Sequence, residues 1–155
     1  MDKASVQAFQ SALNEKIRAL GIETTEVDGF GAPQIGDTLR ILLPVSDKAE
    51  AVITDFMIFS YETNNDLLQI YSTVVVELAG ELSPVVTQLN GWNSNCTLGF
   101  FGVVERDKQL YHRYTAPVAK DIAPEVLAEH VLLLLTFARE EIAKRFPEAA
   151  KLAVQ

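Results

Sequence analysis

Apolar side chains along this chain recur with two periods, and the switch between them outlines the fold. Val6, Phe9, Leu13, Ile17 and Leu20 return every three or four residues, the spacing of one stripe on an α-helix. Ser5 is placed at its N-cap and Gly21 just past its end, with Gln10, Asn14 and Arg18 on a face turned to water. The runs Thr38 to Val45, Ala51 to Glu62 and Leu67 to Leu78 are rich in Val, Ile, Leu, Phe and Tyr and read as strands. The polar turn Thr63-Asn64-Asn65-Asp66 joins the last two as a hairpin. Ile22 to Val27 reads as a short edge strand, and the pattern leaves open whether it joins the sheet.

Ser83-Pro84 opens a short helix, with serine as N-cap and proline in the first helical position. Val85, Val86, Leu89 and Trp92 give it an apolar side. Gly91 either ends it or lets its backbone pack closely, and Asn90 and Asn93 cap its end and the loop that follows. Thr97 to Val104 and Gln109 to Ala116 flank the charged link Glu105-Arg106-Asp107-Lys108 as a second hairpin. A last helix begins near Asp121 and Pro124. Pro147 stops or kinks it, leaving Glu148 to Gln155 to fray. The expected architecture is α+β: one domain over residues 1–155, with an antiparallel sheet in helix-strand-strand-strand-helix-strand-strand-helix order.

Alternation in the strands adds a constraint. Leu68, Ile70, Val74, Val76 and Leu78 share one face of the third strand, yet Leu67, Tyr71 and Val75 stand on the other. The second strand likewise opposes Val52, Phe56 and Ile58 to Ile53, Met57, Phe59 and Tyr61. A solvated antiparallel face is mostly polar, so the second face calls for a cover: a helix, a second subunit or a bound partner. The last helix, with Leu127 and the run Val131 to Leu135, is apolar around nearly its whole circumference, which predicts burial on all sides. A partner subunit supplies that burial most economically. The expectation is a homodimer with Leu132, Leu135, Phe59 and Tyr71 in its interface.

Composition narrows the function. A chain of 155 residues fits one domain and buries enough surface to need no metal or disulfide staple. Cys96 is the only cysteine, which rules out an internal disulfide and suits a reducing cytoplasm. The net charge is −8, with twelve acids against five bases in residues 1–80 and nine against eight in 81–155. Such a surface repels phosphate backbones and anionic lipid, so neither nucleic acid nor membrane is expected as a partner. Met1 to Leu20 lacks the pattern of a signal peptide, and the apolar run of the last helix is too short to span a bilayer. The expected location is cytoplasmic.

Chemistry-bearing residues are sparse. His112 and His130 lie on different elements without cysteine or carboxylate at ligand spacing, so they read as hydrogen-bonded structural histidines, and no metal or other cofactor is expected. Cys96 lacks a basic flank and reads as a small buried hydrophobe. A dyad between Cys96 and His112 would require their segments to come into register. Ser60, Ser72 and Ser83 show no nucleophile-elbow pattern, and Glu140-Glu141 point apart on a helix. Gly29, Gly31 and Gly36 resemble a phosphate loop but no Lys-Ser or Lys-Thr pair follows them. No catalytic residue is assigned, and the chain is not expected to be an enzyme.

The stretch Asn90, Trp92, Asn93, followed by the Gly99-Phe100 strand, the charged hairpin and the apolar closing helix, resembles the YbjN-like family of bacterial proteins. The element order resembles the type III secretion chaperone-like fold. The likeness implies a bacterial, cytoplasmic, non-enzymatic protein that binds or regulates other proteins, commonly as a homodimer. Dedicated secretion chaperones are small acidic dimers that bind extended segments, and nothing in this sequence indicates a secretion system.

Two places could carry binding. Trp92 reads as a plug at the helix-to-sheet junction and, alternatively, as an anchor for a partner. Tyr111 and Arg113 share one face of their strand in the one locally basic stretch, a surface suited to an acidic or extended peptide. The function expected is therefore a homodimeric protein-binding module, chaperone-like or regulatory. The alternative is a small-molecule-sensing regulatory domain with an apolar pocket lined by Tyr61, Tyr71 and Phe59.

Overall fold

The computed structural model describes residues 1–61 and 65–155. Its elements are α1 (Lys3–Arg18), β1 (Thr24–Val27), β2 (Gln34–Pro44), β3 (Ala51–Ser60), β4 (Asp66–Val75), α2 (Leu82–Ser94), β5 (Phe100–Val104), β6 (Gln109–Pro117) and α3 (Pro124–Ala150). The six strands form one antiparallel sheet in the order β1-β2-β3-β4-β6-β5. The class is α+β, as expected. The segment left open joins the sheet as an edge strand, with Thr24 opposite Ile41 and Val27 opposite Thr38. The turn expected at Thr63-Asn64-Asn65-Asp66 lies in part outside the described residues.

Alternation assigns the two faces of the sheet. One carries Leu39, Ile41 and Leu43 of β2, Val52, Phe56 and Ile58 of β3, Leu68, Ile70 and Val74 of β4, Leu110 of β6 and Phe101 of β5, all buried. These join one cluster with Val6, Phe9, Leu13 and Ile17 of α1, Val85, Leu89 and Trp92 of α2, and Leu127, Val131, Leu135 and Ile142 of α3. The three helices therefore cover the same face. Each buried Leu, Ile or Phe contributes about 1.5–3 kcal/mol, so this single layer of contacts dominates stability.

Local chemistry sets the boundaries, and several differ from expectation. Asp2 rather than Ser5 caps α1, its carboxylate accepting the Ser5 N–H at 2.7 Å. Gln10 is buried and does not face water: its Nε2 donates to the Asp37 carbonyl in the β2 bulge between Ile35 and Leu39. Asn14 is half-buried with its Oδ1 enclosed. Both residues flank the apolar stripe closely enough to be drawn under the helix. Gly36, at φ +69, lets the bulge pass beneath Val6, whose Cγ1 would stand 3.3 Å from any Cβ added there.

The later elements carry four more corrections. α2 begins one residue before Ser83, with Glu81 at its N-cap, and runs through Gly91 to Ser94. Pro147 does not stop α3, which continues to Ala150; the side of the helix that loses its N–H bond is exposed there. The tail does not fray, because the Val154 N–H donates to the Glu77 carbonyl at 3.0 Å and the Ala79 N–H to the Leu152 carbonyl at 2.8 Å. Finally, α3 is not buried all round. Leu127, Val131, Leu135 and Ile142 are buried in the core, while Val126, Leu133 and Phe137 are 42%, 60% and 48% exposed.

Candidate functional site

With all three helices on one side, the other side of the sheet is bare. Thr25, Arg40, Asp55, Tyr71, Arg113 and Phe100 stand in register straight across it from β1 to β5. In the next row Leu42, Ile53, Thr73, Tyr111 and Gly102 do the same. Phe59, Leu67 and Gln69 extend the face toward its far end, where Met57, opposite Gln69, is buried.

The β6 end of this face is an aromatic shelf. Tyr71 and Tyr111 stack with ring centroids 5.1 Å apart, and Phe100 meets Tyr111 edge-on at 6.1 Å. Gly102 makes room for this: a Cβ there would collide with the phenol oxygen and ring of Tyr111. The Tyr71 hydroxyl donates to Gln109 Oε1 at 2.7 Å. Burial first, and then the neighbouring Tyr111 hydroxyl, push the Tyr71 phenol up to about 12, so it stays a donor.

Two arginines occupy the same row in different states. Arg40 is neutralised by Asp55, its Nε and Nη2 donating to the carboxylate at 2.8 and 3.0 Å; that hydrogen bond raises the guanidinium pKa further. Arg113 lies over Phe100 at 4.9 Å and beside Tyr111 at 5.6 Å from the ring centroids. Its Nε is enclosed without a hydrogen-bond partner, and among the described residues no carboxylate pairs with it. Among the described residues the bare face thus combines aromatic and aliphatic side chains with Thr25, Thr73, Gln69, a neutral Arg40–Asp55 pair and one uncompensated cation, Arg113.

No protein-family model matches the sequence, and no curated protein matches it. Among solved structures the chain is similar to YbjN from E. coli, described as a proposed transcription regulator. The likeness covers 94% of this chain and 95% of that one, at 15% identity and a TM-score of 0.50. The fold is YbjN-like.

Within this YbjN-like fold the residues singled out in the sequence fall in three places. Tyr111 and Arg113 come together on the bare face, and Tyr71 and Phe59 join them there. Trp92 does not: it is 5% exposed, meeting Phe101 edge-on at 5.3 Å with Arg145 at 5.9 Å over its ring. It plugs the junction between α2 and β5. The four residues assigned to a dimer interface do not form one surface. Leu135 is in the core at 4% exposure, Leu132 packs on the flank of α3, and Phe59 and Tyr71 are across the sheet. Tyr61, Tyr71 and Phe59 do not enclose a pocket; Phe59 and Tyr61 stack on each other at 6.4 Å. Tyr61 lines a cleft of about 510 Å³ with Asp2, Asp66, Lys120 and Asp121, without Tyr71 or Phe59, and a second cleft of about 700 Å³ lies among Lys48, Glu50, Arg139 and Glu140. Phe100 and Gly102 were missed as site residues. Their alternation with buried Phe101 was the available signal.

Cys96 and His112 do meet, under the sheet's covered face. Sγ lies 3.9 Å from Nε2, but Nε2 is 2.8 Å from the Leu98 carbonyl and must donate its proton there. It cannot also accept the thiol proton. Burial pushes the Cys96 thiol up to about 11, with the nearby Glu141 carboxylate adding to it, and burial lowers the His112 imidazole. Glu141 is held by the Thr97 N–H at 3.1 Å. Thiol and imidazole are both neutral, the opposite of a thiolate–imidazolium dyad. Ser72, opposite His112, pairs its hydroxyl with Thr54 at 2.7 Å. His130 is exposed on α3 rather than a buried, hydrogen-bonded histidine. Among the described residues no group of three or more His, Cys, Asp or Glu could hold a metal ion, and no helix is long and apolar enough to cross a membrane.

Proposed function

We propose that this chain is a non-enzymatic regulatory module that binds other proteins through the bare face of its sheet and acts as a homodimer. The observation that carries the reading is the aromatic shelf with the aliphatic side chains beside it, on a face that no described helix covers, which is how protein-docking surfaces differ from solvated ones. The description of YbjN as a proposed transcription regulator supports the regulatory part of this reading alone. The neutral pairing of Cys96 with His112 supports the non-enzymatic part.

The dimer is proposed along the outer stripe of α3. Val126, His130, Leu133 and Phe137 follow one another at intervals of four, three and four residues, the spacing of a helix–helix seam. Three of the four are large apolar side chains at least 42% exposed.

Two measurements test the two halves. Light scattering over a dilution series should give twice the chain mass, and Leu133→Asp should halve it without loss of helicity. A persistent wild-type monomer removes the dimer. Separately, an array of random twelve-residue peptides should be bound by the wild type and lost on Phe100→Asp. An array that binds nothing, or binds regardless of Phe100→Asp, removes the docking role.

A further inference from the structure

We infer that Arg113 is a carboxylate anchor: the bare face takes an extended polypeptide segment bearing an acidic side chain next to an apolar one. This rests on the proposed docking role and names the chemistry of what docks. Arg40 is already matched by Asp55, which leaves Arg113 as the cation of that row without a counter-ion. Its enclosed Nε–H has no acceptor, and a guanidinium presents its donors as a planar fork that fits a carboxylate two at a time. Phe100 and Tyr111, edge-on to each other, both lie against the guanidinium, so less side-chain freedom remains to be lost on binding.

The surroundings select the source of the anion. Arg113 is bordered by Tyr71 and Tyr111, and by Ile53 and Leu42 along the row of Tyr111. In an extended segment alternate side chains point the same way, about 7 Å apart. One therefore reaches the guanidinium while the next lies on the aromatic shelf. A free phosphate satisfies only the first contact. A polyanion such as nucleic acid is repelled by a chain of net charge −8, whereas a single carboxylate in an apolar segment is not.

The experiment uses the peptide array with Asn-for-Asp and Gln-for-Glu twins of each binder. The selected peptides should carry Asp or Glu two positions from Phe, Leu or Tyr, and their amide twins should bind at least tenfold more weakly. Arg113→Gln should erase the difference between acid and amide twins. Arg113→Lys, which keeps the charge without the fork, should retain part of it; thermal melts of both variants establish that they fold. Equal binding of twins by the wild type, or an acid preference that survives Arg113→Gln, overturns the anchor. The docking role still stands if Phe100→Asp abolishes binding. Inorganic phosphate is titrated separately against the Arg113 Nε–H resonance. Saturation by phosphate with no further change on adding peptide would make this a small-anion site and overturn the inference. An array that selects no peptide overturns both readings.

Discussion

The side-chain amide of Asn93 takes both backbone groups of Phe101: its Nδ2 donates to the carbonyl at 2.9 Å and its Oδ1 accepts the N–H at 2.7 Å. β5 is the last strand of the sheet, and at Phe101 its free edge is closed by one residue of α2 imitating a neighbouring strand. This ties the helix to the sheet beside Trp92 and withholds the middle of that edge from strand addition, leaving the face rather than the edge for partners.

Asn93→Ala should therefore destabilise the protein by about 1–3 kcal/mol, the range for leaving buried backbone groups without partners. Asn93→Asp should recover part of the loss, since it keeps the acceptor for the N–H but sets a carboxylate against the carbonyl. Urea denaturation of the three proteins checks the order. Equal midpoints for wild type and Asn93→Ala would mean water replaces the amide freely. Loss of the edge cap should also raise self-association of Asn93→Ala on heating.

Most of the fold was legible because it depends on period. The 3.6-residue stripe of α1 and the alternation in β2 to β6 follow from burial on one side, which the sequence records directly. What was not legible depends on partners distant in sequence. Gln10 reads as a water-facing polar residue until the β2 bulge presents the Asp37 carbonyl to it. The leucines of α3 read as buried all round because apolar residues look alike whether a neighbour covers them or not; Leu133 and Leu135 separate only when the sheet is placed. The site was half visible. Tyr111 and Arg113 share a face by alternation alone, but the contribution of Phe100 requires the β5–β6 register.

Trp92 is the chain's only tryptophan, so its fluorescence reports one environment. Its burial predicts a blue-shifted emission and weak quenching by acrylamide, unchanged when peptides bind the sheet face. Trp92→Ala should cost about 3–5 kcal/mol, the range for deleting a large aromatic from a core. Ready quenching in the folded protein would return Trp92 to the surface and to the role of partner anchor.

Cys96 should be slow toward thiol reagents. At pH 8 a thiol at about 11 is roughly one part in a thousand thiolate, against about one in ten at its ordinary value of 9.0, so reaction in the folded state should be about a hundredfold slower than in urea. The His112→Gln variant should react no more slowly than the wild type, because the imidazole does not activate the thiol. Fast modification at neutral pH that depends on His112 would revive a catalytic dyad.

His112 should make stability depend on pH. Burial lowers its pKa below the ordinary 6.5, so in the window beneath 6.5 the unfolded chain binds a proton that the folded chain resists. Stability is then fully present above 6.5 and falls as the pH drops from there toward the lower folded pKa. Below that value both states are protonated and this contribution levels off. The capping carboxylate of Asp2, lowered from 3.8 by the Ser5 N–H, acts only below 3.8, outside the range of pH 8 to 5 in which His112 is tested. Urea midpoints measured from pH 8 to 5 should decline for the wild type and stay flatter for His112→Gln. Parallel declines would assign the slope to other groups and would mean that the imidazole, fully enclosed against Phe101 at 5.0 Å between ring centroids, is protonated in place.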